Sequence, residues 1–125
     1  MTYKPTESEL EILQVLWDKK TASVREVHET LSVKKDVGYT TTLKLMQIML
    51  EKGLVKREDS SKTHYYQAAI SREKTQKQQV RKLIDSLFGG SPAQLILQAL
   101  GNHQASPEEL DHIRLMVEDL KRNQS

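Results

Sequence analysis

At 125 residues and a net charge of +2, the chain has the length of one domain or two small units. Hydrophobic residues make up 37%, with one Phe and one Trp, so any core rests on Leu, Ile, Val and Met, and such a chain often completes its burial by oligomerising. The absence of cysteine excludes disulfides and thiolate metal sites, no run approaches about eighteen apolar residues, and the opening MTYKPTESELE lacks signal-peptide character; a soluble cytoplasmic protein without membrane insertion is expected.

Thr6-Glu-Ser-Glu9 has the form of a capping box, in which the Thr6 hydroxyl takes the Glu9 amide and the Glu9 carboxylate returns to Thr6. A first helix then runs to about Asp18 with Leu10, Leu13, Leu16 and Trp17 inward. Ser23-Val-Arg-Glu26 repeats the capping pattern and opens a helix through about Leu31 that buries Val24, Val27 and Leu31. The segment SVKKDVG turns the chain into a third helix.

That third helix, YTTTLKLMQIMLEK from Tyr39 to Lys52, organises the rest. Its polar residues Thr40, Lys44, Gln47 and Glu51 recur at spacings of four, three and four, which draws one narrow stripe. Leu45, Met46 and Met49 lie opposite, flanked by Leu43, Ile48 and Leu50. Thr, Lys and Gln are side chains that hydrogen-bond base edges or touch a thymine methyl. Taken alone, the helix reads better as an amphipathic element with a solvated face. Its successor shifts the balance. Gly53 ends the helix, and LVKRED, a turn at Ser60-Ser61-Lys62 and THYYQAA read as a β-hairpin. A helix followed by a basic hairpin is the arrangement of a winged helix-turn-helix, with the helix in the major groove and the wing over the backbone. From Lys34 to His64 seven basic residues face four acids, a local excess of +3.

In the first strand Leu54, Lys56 and Glu58 share one side and Val55 and Arg57 the other, so both sides are mixed and the pattern leaves the register open. Tyr65 and Tyr66 on the return strand are read as core or rim packing in preference to base stacking. The compact unit is complete by Ala69.

Ser71 begins a long helix, stopped by Gly89-Gly90, whose early part lacks an apolar face and is expected to project as an arm. Val80, Leu83, Ile84, Leu87 and Phe88 then supply a seam. Ser91-Pro92 caps a short apolar helix with Leu95, Ile96, Leu97 and Leu100. Ser106-Pro-Glu-Glu109 starts a last helix carrying Leu110, Ile113, Val117 and Leu120 at spacings of three, four and three. Helices of this size have too little mass to hide such faces, and burial against a second copy is the natural solution.

Catalytic signatures are missing. His28, His64, His103 and His112 are scattered, and the last two, nine apart, do not have a usual ligand spacing. No nucleophile elbow or phosphate loop occurs. Glu108 and Glu109 belong to a helix start. An enzyme is not expected, nor a metal or other cofactor.

The segments LEILQVLW, SVREVHETL, GYTTTLKLMQIMLEKGLVKRE and HYYQA, followed by FGG and LILQAL, resemble the penicillinase repressor (BlaI/MecI/CopY) family over nearly the full length. The resemblance implies a homodimeric transcriptional repressor with a winged-helix head and a helical dimerisation tail, acting on a dyad-symmetric operator. It also implies a sensor-linked protease that inactivates many members. The family's copper-responsive branch carries a C-terminal cysteine cluster, which this chain lacks. The Asn-Phe pair cut in the drug-responsive branch reads Gln98-Ala99 here.

The expected fold is mainly α with a small β-hairpin wing: residues 1–70 as a DNA-binding head and 71–125 as a helical dimerisation domain. Lys44 is the candidate for guanine O6 and N7, Gln47 for adenine N6 and N7, and Thr40 and Thr41 for a thymine methyl or a phosphate. Lys56, Arg57 and Lys62 are candidates for phosphates. Tyr39 has two readings, a phosphate contact through its hydroxyl or inward packing. Val80, Leu83, Ile84, Leu87, Leu110, Ile113, Val117 and Leu120 are the candidate dimer seam. A winged helix that binds a protein partner, and an effector-sensing regulator, are the alternatives.

Overall fold

The computed structural model of the protein describes residues 4–102 and 105–124. Six helices and one hairpin follow in the order α1 (Glu7–Lys19), α2 (Val24–Ser32), α3 (Tyr39–Lys52), β1 (Val55–Glu58), β2 (Tyr65–Ala68), α4 (Arg72–Leu87), α5 (Pro92–Leu100) and α6 (Pro107–Gln124). The described chain divides into two compact units, residues 1–76 and 77–125, and the division falls inside α4.

In the first unit both capping boxes form. The Thr6 Oγ1 accepts from the Glu9 amide at 3.2 Å while Glu9 Oε1 accepts from Thr6 N at 2.8 Å, and Ser23 and Glu26 repeat the exchange at 3.2 and 2.9 Å. Each such cap contributes about 1 kcal/mol. The core is drawn from α1, α2, α3 and the wing, with Ile12, Leu13, Val27, Met46 and Met49 fully buried. A side chain buried this completely stabilises by about 1.5–3 kcal/mol.

Helix α1 buries a wider face than its Leu and Trp spacing suggests, because α2, α3 and β2 all pack on it. Ile12, Val15 and Glu9 are buried there, whereas Leu10 and Trp17 are half-buried at the margin of the core. In α3, Thr42 is also buried; its hydroxyl donates to the Gly38 carbonyl at 3.4 Å, so the polar atom is satisfied within the helix.

The hairpin register that the sequence leaves open pairs Val55 with Ala68, Lys56 with Gln67, Arg57 with Tyr66 and Glu58 with Tyr65. Leu54 and Val55 are both buried although adjacent, because Leu54 precedes the strand and its carbonyl accepts from Ala69 N at 2.9 Å. Tyr66 is a core residue, whereas Tyr65 is 40% exposed. The wing is also tied to the helices. Ala22, in the link between α1 and α2, exchanges two backbone hydrogen bonds with Tyr66, at 3.0 and 2.8 Å.

The first turn of α4 does not project freely. Arg72 pairs with Asp18 and lies 5.7 Å over the Trp17 ring, Trp17 Nε1 donates to the Ile70 carbonyl at 3.0 Å, and Thr75 is buried with its hydroxyl on the Ser71 carbonyl at 2.7 Å. These attachments are polar and cation–π, so no apolar periodicity announces them.

In the second unit, α4 closes at Gly89 and Gly90, with φ of 58° and 82°, and Gly90 N donates back to the Ile84 carbonyl at 2.9 Å. Ser91 caps α5 by accepting from Gln94 N at 3.3 Å, and Ser106 caps α6 by accepting from Glu109 N at 3.1 Å. No described residue of α5 or α6 is buried. Val80, Leu83, Leu87, Leu110, Val117 and Leu120 are exposed, as are Ile96, Leu97, Leu115 and Met116, while Ile84 and Ile113 are half-buried. No helix is long and apolar enough to cross a membrane among the described residues.

Candidate nucleic-acid interface

Helix α3 is held at both ends. At its start the Tyr39 and His28 rings meet edge to face, centroids 5.6 Å apart. At its end Gly53 takes the left-handed conformation with φ 81° and returns its amide to the Leu50 and Met49 carbonyls. Lys52 in the last turn reaches across to Glu9 Oε2 at 2.9 Å. Burial pushes the Glu9 carboxyl up, but the Thr6 amide and the Lys52 ammonium outweigh it and hold the group below its ordinary 4.5. The paired carboxylate is therefore charged, and it fixes the C-terminal turn of α3 against α1.

With its opposite face locked in the core, α3 presents Thr40, Lys44, Gln47 and Glu51, all exposed, as one ridge. Beside the ridge runs an open cleft walled by the start of α2, by α3 and by the wing, lined among others by Arg25, Tyr39, Gln47, Arg57, Lys62 and His64. None of the residues lining it is an Asp or Glu. Arg57 Nε pairs with Asp59 at 2.6 Å, and His64 Nδ1 lies 3.8 Å from the same carboxylate. The side chain of Tyr66, and after it Asp59, hold the Arg57 guanidinium above its already high ordinary value. The side chains of Lys44, Lys56, Lys62 and Arg25 make no hydrogen bond or ion pair among the described residues.

The structure gathers only some of the sequence candidates. Tyr39, Gln47, Arg57 and Lys62 share the cleft, and Thr40 and Lys44 stand on the adjoining ridge. Tyr39 is 44% exposed and its ring packs against His28, so it both packs and reaches the surface. Thr41 faces away, toward a groove shared with Glu11, Leu31 and Lys35, which is bridged by a Lys35–Glu11 pair at 2.9 Å. Lys56 lies on the other side of the wing with Glu58, Tyr65 and Gln67. Arg25 and His64 belong to the cleft but were not singled out from the sequence; only the three-dimensional assembly of α2, α3 and the wing brings them there.

A ridge of exposed Thr, Lys and Gln side chains on the second helix of a helix-turn-helix, with a basic wing beside it, is a DNA-binding arrangement. Residues 5–119 match the penicillinase repressor family. The chain belongs to the penicillinase repressor family. It is similar to a penicillinase repressor of Staphylococcus aureus, 22% identical over 92% of this chain and 91% of that one. It is likewise similar to the methicillin resistance regulatory protein MecI of Staphylococcus aureus strain N315, 23% identical over 90% of this chain and 92% of that one. The transcriptional regulator BlaI of Mycobacterium tuberculosis is 32% identical over 50% of this chain and 46% of its own length. In fold, the chain resembles the solution structure of the DNA-binding domain of the repressor BlaI, with a TM-score of 0.51 over 58% of this chain and 90% of that one at 22% identity.

As a penicillinase repressor family member the chain is a DNA-binding transcriptional repressor and not an enzyme. Among the described residues no three His, Cys, Asp or Glu side chains gather as a metal site. His103, half of the histidine pair weighed in the sequence, lies outside the described residues.

Proposed function

We propose that the protein represses transcription as a homodimer on a dyad-symmetric operator, each head placing α3 in the major groove. The observation that carries this reading is the ridge of Thr40, Lys44 and Gln47, exposed on a helix whose opposite side is core. Lys44 and Gln47 read base edges, Thr40 meets a thymine methyl or phosphate, and Lys62, Arg57 and Lys56 meet phosphates through the wing. Thr41, turned toward the Lys35 groove, has the weakest position of the set.

The exposed apolar faces of α4, α5 and α6 support dimerisation through residues 71–125, because a single copy leaves Leu83, Leu87, Val117 and Leu120 in water. Two heads on one duplex make the second contact effectively intramolecular, so separating the heads from the dimerising helices abolishes that gain without altering a DNA contact. A sensor-linked protease acting near Gln98 and Ala99, both exposed in the single chain, is the proposed route of relief. Induced cells should then contain a fragment ending between residues 95 and 104, Gln104 itself lying outside the described residues. Intact protein by mass spectrometry while the target genes are on would count against proteolysis and favour a bound effector.

Titration of the purified protein against duplex DNA from the region upstream of its own gene tests the central reading. Affinity should fall steeply as salt rises, through release of counterions from the phosphates. Salt-independent binding to a protein partner, with no duplex binding, would instead assign the ridge to protein–protein contact.

A further inference from the structure

The cleft beside α3 has a charge pattern that the reading helix does not require. Its walls carry Arg25, Arg57, Lys62 and His64 and no carboxylate. Arg57 is partly neutralised by Asp59 at 2.6 Å, whereas Arg25 and Lys62 have no partner among the described residues. Arg25 is exposed and stands in the first turn of α2. Its neighbour Glu26 turns its carboxylate back onto Ser23 N at 2.9 Å, so the nearest acid in sequence is spent on the helix cap. The Ser23 hydroxyl in turn takes the Glu26 amide at 3.2 Å, which leaves the guanidinium, not the helix end, as the anion-binding group. An unpaired arginine presents a planar fork of donors that matches two oxygens of a phosphate, and the dipole of α2 adds to the attraction.

We propose that this cleft is a phosphodiester-binding site in which Arg25 from α2 and Lys62 from the wing hold the nucleic-acid backbone beside α3. The assignment rests on the DNA reading above and adds to it a contact from a helix that carries no base-reading ridge. With cations from two elements, α2 and the wing, the cleft adds a backbone grip alongside α3, and Gln47 of α3 lines the same cleft.

The test uses the full-length protein, the upstream duplex and a random duplex of equal length, titrated over a range of salt. Arg25→Ala should weaken both duplexes by the same factor and reduce the salt slope by about 1. Arg25→Lys should recover the slope but not the whole affinity, since an ammonium is a point charge without the fork. In phosphate-ethylation interference, one backbone position per bound head that blocks the wild-type protein should become indifferent for Arg25→Ala, and a different one for Lys62→Ala. Because both side chains are exposed and unpaired, melting temperatures should not move. Steep wild-type binding with an Arg25→Ala variant of unchanged affinity, slope and footprint overturns the site while leaving the DNA reading intact. Loss of preference at a single base pair would also overturn it, by making Arg25 a base reader. A wild-type protein that binds no duplex overturns both.

Discussion

Two carboxylates, each facing a cation, have opposite consequences for the molecule. Glu9 is buried and spends both oxygens on Thr6 and Lys52. Its folded pKa lies below the ordinary 4.5, so its contribution to stability is present above that value and is lost as the pH falls through the lower folded value. Glu9→Gln should cost roughly 1–3 kcal/mol at neutral pH and flatten the acid limb of the stability curve, both measurable by urea unfolding. Asp59 is exposed, and it pairs with Arg57, the proposed phosphate contact that lines the cleft. Asp59→Asn should therefore tighten binding to specific and random DNA alike, read in the same salt titrations. Lys44→Ala or Gln47→Ala should cost roughly 1–3 kcal/mol per half-site and relax preference at one base pair, checked by competition among operator variants. Equal loss on specific and random DNA would show that Lys44 does not read a base. The capping role of Glu9 is legible from Thr6-Glu-Ser-Glu9, but its pairing with Lys52, 43 residues on, is not, since no local pattern encodes it.

At the scale of elements, the sequence is most informative where one period dominates. Helix α3 occupies the residues its stripe predicts, because Gly53 marks its end and the core selects the Met46–Met49 side. That glycine sits at φ 81° with open space where a Cβ would stand, so the cost of a side chain is backbone strain alone. Gly53→Ala should lose roughly 1–2 kcal/mol in thermal unfolding without altering the ridge, and Gly53→Asn less. The wing was harder to read. Its register depends on Ala22, which pairs with Tyr66 from a link that looks like mere connector in sequence. The same limit hid the cleft. Arg25 reads as one charge on a surface helix until α2, α3 and the wing are assembled around a common space. The early part of α4 was misread for a related reason: its anchors are Arg72 on Asp18 and Trp17, and a buried threonine, none of which contributes to an apolar stripe.

For the whole molecule, the exposed seams of residues 77–125 set the expectation for assembly. Sedimentation should find the full chain dimeric at micromolar concentration, and a full-length monomer would remove the basis for paired heads. A fragment ending at Gln76 should fold as a monomer with weak operator affinity; a cut at Ser71 would also strip Arg72 and Thr75 from their places against the first unit. The apolar spacing of α4 and α6 was plain in sequence, but spacing alone does not say what covers the face it draws. The attachment of α4 has a practical side as well. Trp17 is the chain's one tryptophan, and its indole is held between the Ile70 carbonyl and the Arg72 guanidinium. The protein thus carries an intrinsic fluorophore at the place where α4 leaves the first unit's core. If the first turn of α4 lets go before the core melts, emission will shift to the red while helical ellipticity still holds, and the two signals will part along a denaturant series.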